Sequence, residues 1–181
     1  DRPVPEGLIH KSMRQMEASP VIFIAALNGT AMGGGFELAL ACDLRLVQDG
    51  DYQFGLPEIN LGILPGAGGT QRLPQLVGQA RALQMTLTGE TLSPQKMVDW
   101  GLAIDCVADV QDAAHDLADQ ISRKPARAAA HIKQLVRQAK SPSAEGLADE
   151  RTLFCDLMVQ EDGKRLLAEG ASGQRRITDA P

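Results

Sequence analysis

Seven consecutive apolar residues, Val21-Ile22-Phe23-Ile24-Ala25-Ala26-Leu27, stand between Pro20 and Asn28-Gly29. A β-branched, continuously apolar run closed by turn residues has no face suited to water. It predicts a strand over 21–27 buried on both faces, in the middle of a sheet. Gly33-Gly34-Gly35 and the Ala- and Leu-rich run 36–42 follow, a composition that predicts a buried helix opening at the glycines. A buried strand feeding a buried helix puts the chain in the α/β class.

Around this unit, 6–17 reads as a polar amphipathic helix ended by Ser19-Pro20, because a residue before proline is pushed out of the helical region. Segments 44–47 and 52–54 read as short strands separated by an Asp49-Gly50 turn, and 65–70 as a turn-rich loop leading into 71–74. A helix is predicted over 78–86, ending before Gly89. Another starts at Ser93-Pro94, with Ser as N-cap and Pro at the first helical position, and stops at Gly101. A last strand-like segment covers 103–108.

Beyond it, apolar residues recur at helical spacing in three sets: Ala114, Leu117, Ala118 and Ile121; Ile132, Leu135, Val136 and Ala139; Leu153, Phe154, Leu157 and Met158. The reading is therefore a sheet core over 1–108, a helical region over 109–169 and a polar, mobile tail over 170–181.

With 181 residues, the chain is long enough for one hydrophobic core and short for two. Its 18 basic and 23 acidic residues give a net charge of −5, which offers no field for nucleic acid or anionic lipid. Its apolar runs fall short of the roughly 20 residues that cross a bilayer. Cys42, Cys106 and Cys155 are odd in number and lack metal-ligand spacing, so they read as buried thiols in a reducing compartment, with no disulfide and no metal. His10, His115 and His131 lie on polar helix faces without a metal or nucleophile motif and read as ordinary solvated histidines.

The carboxylates are more informative. Glu37 sits in an apolar helix, where it is either a helix-dipole partner in the first turn or a desolvated carboxyl suited to proton transfer. Glu58, after a short strand and held by Pro57, could converge with Glu37 on one pocket as an acid and base pair. Backbone N–H groups at Gly34 and Gly35 could polarise a carbonyl oxygen, or the glycines could serve turn geometry alone. Gly66-Ala67-Gly68-Gly69-Thr70 permits the same two readings. With no Lys beside it, a phosphate cradle has weak support.

These residues carry a resemblance. Pro20-Val21, Asn28-Gly29, Gly33-Gly34-Gly35-Phe36-Glu37-Leu38-Ala39 and Cys42-Asp43, followed by Phe54-Gly55-Leu56-Pro57-Glu58, Leu61-Gly62 and Pro65-Gly66-Ala67-Gly68-Gly69-Thr70-Gln71-Arg72-Leu73, resemble the enoyl-CoA hydratase (crotonase) family. Looser similarity through Leu87-Thr88-Gly89 and Gly101-Leu102-Ala103 extends the match over about 20–160. One residue more separates Glu37 from Glu58 than in the commonest spacing, a difference assigned to the Asp49-Gly50 turn.

The resemblance implies a crotonase-like ββα superhelix core with a C-terminal helical trimerisation region, assembled as a homotrimer or dimer of trimers. It implies hydration of a 2-enoyl-CoA thioester to a 3-hydroxyacyl-CoA in fatty-acid or related acyl-CoA degradation. No cofactor is implied beyond the coenzyme A of the substrate, and the expected location is the cytoplasm, or the mitochondrial matrix in a eukaryote.

By resemblance, Gly34 supplies one oxyanion N–H, Glu37 activates water, Glu58 protonates the α-carbon, and Gly33 and Gly66 contact substrate. The family's other oxyanion N–H comes from an upstream region that nothing in 1–19 matches, so the sequence reads as a partial chain. An isomerase or another acyl-CoA lyase of the family is the nearest alternative. A non-catalytic RNA-binding relative is a more distant one, supported by a basic helix over 123–140 with Arg123, Lys124, Arg127, Lys133, Arg137 and Lys140.

Overall fold

The computed structural model describes residues 7–139 and 144–174. They form two compact units, Asp1–Asp116 and Leu117–Pro181.

The first unit opens with α1 (Leu8–Ala18) and β1 (Ile24–Leu27), then β2 (Ala31–Met32) and α2 (Gly34–Ala41). The ladder starts at Ile24 rather than Val21. The N–H of Phe23 donates to the Asp43 carboxylate at 2.9 Å, and its carbonyl accepts from Asp43 and Leu44. Nor does this strand take the middle of its sheet. Among the described residues the order is β1, β3 (Leu44–Gln48), β6 (Asp105–Val107), all parallel. It is β3, with Leu46 and Val47 buried, that has neighbours on both sides, while β1 is only half-buried.

A second small sheet pairs β2 with β4 (Phe54–Gly55) in parallel, and β4 with β5 (Thr91–Leu92) antiparallel. It sets the Gly33 end of α2 beside β4, and the Gly33 N–H donates to Gly55 O at 3.0 Å. A 3-10 helix, Pro57–Leu61, leaves β4 directly.

Two helices follow, α3 (Gly69–Val77) and α4 (Gln79–Thr88). The turn-rich reading of 65–74 hid α3, because Pro74 lies inside it. A proline there forfeits one backbone donor, yet Leu73 and Gly69 are buried by the fold and the helix survives. Helix α5 (Pro94–Asp99) begins as predicted, the Ser93 hydroxyl accepting from the Lys96 N–H at 3.4 Å.

The core joins α2 to both sheets through Phe36, Leu40, Val47, Phe54, Leu56, Leu73, Met85, Leu92, Met97 and Leu102. Each such side chain contributes about 1.5–3 kcal/mol of burial. Arg45 on β3 is also buried. Its Nε donates to Leu102 O at 2.6 Å and its Nη1 to Ala39 O and Cys42 O at 3.1 and 2.7 Å, capping the C-terminal end of α2 with a cation.

After α6 (Val110–Ser122), the second unit contains α7 (Ala126–Gln138), α8 (Ala144–Val159) and α9 (Glu161–Ala171), with α8 packed on both α7 and α9. The helices were legible, but their buried faces were not. Ile132, Val136, Phe154 and Met158 are exposed.

The basic row is not one helix either. Arg123 and Lys124 precede α7 in a turn, Arg127 pairs with Asp156 at 2.9 Å, and Lys133 is buried. Lys140 lies outside the described residues, as does 175–181 of the predicted tail, whose first residues Gly170 and Ala171 close α9. Cys42 and Cys106 are partly buried, and Cys155 is exposed on α8, contrary to the expectation of a buried thiol. No helix of the described residues is long and apolar enough to cross a membrane.

Candidate active site

The site is built around the first turn of α2. Gly33 is its N-cap with φ +55°, a left-handed conformation that disfavours side chains. A Cβ there would also stand 3.3 Å from Glu58 Oε1. Gly34 and Gly35 are the first helical residues, so their N–H groups have no partner within the helix. Both are exposed, and a Cβ built on either meets no atom within 4 Å. That end of the helix is open for a carbonyl oxygen to approach.

Glu37 lies one turn in, its N–H donating to Gly33 O at 2.9 Å, and is 2% exposed. Its Oε1 accepts from the backbone N–H of Ala67 and of Gly69, both at 2.7 Å. Glu37 stands in the first turn of α2, as one of its two sequence readings had it, and its carboxylate also takes the N–H groups at the start of α3. The carboxylate sits at the N-terminus of α3 on orphan donors that favour negative charge. The glycines around Ala67 thus serve a carboxylate of the same chain. Gly69 can approach it only because it lacks a Cβ, which would meet Leu56 Cδ1 at 2.7 Å and Glu37 Oε1 at 3.0 Å.

Glu58 arrives from the 3-10 helix on the other side of α2. It follows Pro57, and the Gly62 and Ile63 N–H groups close the turn behind it on Ile59 O and Glu58 O. Its Oε1 lies beside Gly33, while its Oε2 is buried without a hydrogen-bond partner.

Gly33, Gly34 and Glu37 lie in the first turn of α2, and the Glu58 carboxylate lies beside Gly33. Gly66 reaches them through the next residue, whose N–H donates to Glu37. It is exposed, and its carbonyl accepts from His10 Nε2 at 2.5 Å.

His10 is thus no ordinary solvated histidine. Together with Met13 and Glu17 it occupies one face of α1 that grips the segment before α3. Met13 is fully buried against Ala41 and Ala67. Glu17 holds Arg72 at 2.6 and 3.0 Å in a two-bond pair, and Arg72 Nη1 donates to Ala67 O at 2.9 Å. The Glu17 hydrogen bond raises the Arg72 pKa above its ordinary value, with partial burial opposing and the Glu17 and Glu37 charges adding. The i, i+3, i+7 spacing of these three residues was the available signal. Among the described residues no group of three or more His, Cys, Asp or Glu side chains could hold a metal ion.

Comparison with known proteins follows the same residues. The enoyl-CoA hydratase/isomerase family model matches residues 5–174, wider than the 20–160 suggested by motifs because it takes in α1. The chain is 40% identical over 156 residues to a probable enoyl-CoA hydratase of Bacillus subtilis, covering 84% of this chain and 60% of that protein. It is 44% identical over 142 residues to the 2,3-dehydroadipyl-CoA hydratase of Escherichia coli, covering 77% and 55%. A crystal structure of an enoyl-CoA hydratase from Bacillus anthracis superimposes with a TM-score of 0.86 at 33% identity, over 91% of this chain and 65% of that one. The chain thus spans less than two thirds of the length of these relatives.

A family model over nearly the whole chain, relatives at 40% identity and above, and the same fold in a solved neighbour agree, and the chain belongs to the enoyl-CoA hydratase/isomerase family.

Proposed function

We propose that the protein hydrates a 2-enoyl-CoA to a 3-hydroxyacyl-CoA. The observation that carries this reading is the unlike treatment of two carboxylates at one helix start. Glu37 Oε1 is tied by two backbone N–H groups, while Glu58 presents its Oε1 beside Gly33 at the start of α2 and its Oε2 takes no donor from the described residues. Two carboxyl groups in different environments are what an acid and base pair requires.

In this reading the thioester oxygen takes the Gly34 N–H, which stabilises the negative charge that develops there. A water gives its proton to Glu37 as its oxygen bonds the β-carbon, and Glu58, in its acid form, gives a proton to the α-carbon. Proton return from Glu37 to Glu58 through solvent restores the starting state. Coenzyme A enters only as part of the substrate, and no other cofactor is needed.

The names of the relatives, both hydratases, support hydration over double-bond migration. A homotrimer or dimer of trimers is the proposed assembly; Ile132, Val136, Phe154, Met158 and Val159 are exposed apolar side chains that association with another surface would bury. The proposed location is the cytoplasm, or the mitochondrial matrix in a eukaryote.

The test is turnover of a 2-enoyl-CoA by the full chain and by Glu58→Gln. Hydration that falls by about 10²–10⁴-fold in the variant supports the assignment. Unchanged turnover, or conversion of a 3-enoyl-CoA in place of hydration, overturns it.

A further inference from the structure

Glu37 is held by two peptide groups, and they are not equally secured. The Gly68–Gly69 peptide, whose N–H is one donor, has its carbonyl locked from within α3, because Gly68 O accepts from the N–H groups of Gln71 and Arg72 at 3.1 and 3.0 Å. The Gly66–Ala67 peptide, whose N–H is the other donor, lies ahead of the helix. Its carbonyl accepts instead from a side chain, His10 Nε2 on α1. A peptide is planar, with its C=O and N–H pointing in opposite directions. Whatever fixes Gly66 O therefore aims the Ala67 N–H.

We propose that His10 is a positioning residue for Glu37, acting through the Gly66–Ala67 peptide. The chain of contacts runs His10 Nε2–H to Gly66 O, then Ala67 N–H to Glu37 Oε1. A carbonyl oxygen only accepts, so the ring carries its hydrogen on Nε2.

Donation into the carbonyl also polarises the peptide and strengthens its N–H as a donor. On the carbonyl side of this peptide Gly66 has no side chain to brace it; Met13 packs with Ala67, and Arg72 donates to Ala67 O rather than to Gly66 O. His10 alone makes that contact among the described residues.

The inference rests on the reading that Glu37 serves the reaction, and its test separates the two. In the full chain, His10→Phe fills a similar volume without a donor, whereas His10→Gln offers an amide N–H at similar reach. The expected result is about a tenfold fall in kcat for His10→Phe with KM within about twofold, and recovery of most of that loss in His10→Gln.

Amide exchange gives a readout independent of activity. Exchange at Ala67 rises about tenfold in His10→Phe and returns toward the parent rate in His10→Gln, while exchange at Val47 in the core is unchanged in both. Equal kcat in both variants with Ala67 exchange unmoved overturns the proposal. If the parent enzyme hydrates no enoyl-CoA, the functional reading fails, and Ala67 exchange still decides whether His10 holds that peptide. Should His10→Phe not fold, ¹⁵N spectra of the parent decide: hydrogen on Nε2 supports the contact, and hydrogen on Nδ1 overturns it.

Discussion

The backbone N–H of Gly69 lies 2.7 Å from Glu37 Oε1, and a methyl group built on Gly69 would lie 3.0 Å from that same oxygen. The first distance makes Gly69 a donor to the carboxylate, and the second makes it irreplaceable. The methyl would also meet Leu56 Cδ1 at 2.7 Å and Pro65 Cβ at 3.1 Å, so the carboxylate cannot step aside without moving packed apolar atoms. Gly69→Ala is expected to cost about 1–3 kcal/mol of stability and to lower kcat at least about tenfold as Glu37 shifts. Thermal unfolding and steady-state hydration check both. Gly34→Ala is the control for stability, because its Cβ meets nothing within 4 Å, and its unfolding free energy should stay within about 0.5 kcal/mol of the parent.

Glu37 allows its structural and chemical duties to be separated. Glu37→Gln keeps an amide oxygen that can accept from Ala67 and Gly69 but removes the carboxylate proposed as the base. It should fold with little loss of stability while turnover drops by about 10²–10⁴-fold. Glu37→Ala removes the acceptor as well and strands two buried N–H groups, at about 1–3 kcal/mol for each. A melting temperature for Ala well below that for Gln, with both nearly inactive, is the expected pattern. Equal melting temperatures would show that the two N–H bonds contribute nothing to the fold.

The buried carboxylate of Glu37, the α2 helix and its glycine start were legible because each is a local signal. A carboxylate amid Phe36, Leu38 and Ala39 stands out in any reading, and three glycines mark a helix start whose first residue, Gly33, takes a conformation that disfavours side chains. What escaped depends on sequence-distant partners. Among the described residues β1 pairs on one side only, with β3, whose sequence lies more than a dozen residues away. Helix α3 was hidden by Pro74, whose cost is offset by the burial of Leu73 beneath it. The role of the second glycine cluster could not be read because its anion is Glu37 itself, some thirty positions upstream. His10 was read as solvated for the same reason, its partner being a backbone oxygen 56 residues on. Helical spacing in α7 and α8 identified the helices but not which side is covered.

Arg45 ties the helix that carries the site to the sheet beneath it. It is 7% exposed, and its guanidinium spans three carbonyls, those of Ala39 and Cys42 at the end of α2 and that of Leu102. Only a planar, multi-donor cation can reach all three, so lysine is not equivalent. Arg45→Met preserves the apolar stem but leaves those oxygens without this donor and the C-terminal end of α2 without its cation. Hydrogen bonds from a charged group contribute about 1.5–3 kcal/mol, and the expected loss for Arg45→Met is about 2–4 kcal/mol. It should appear as a lower urea midpoint with an unchanged m-value, the mark of reduced stability without a change in the surface exposed on unfolding. Arg45→Lys should fall between the two, since one ammonium can serve one end of the span. A midpoint for Arg45→Met equal to that of the parent would mean that neighbouring groups or water replace the guanidinium, and that α2 is held by its apolar face alone.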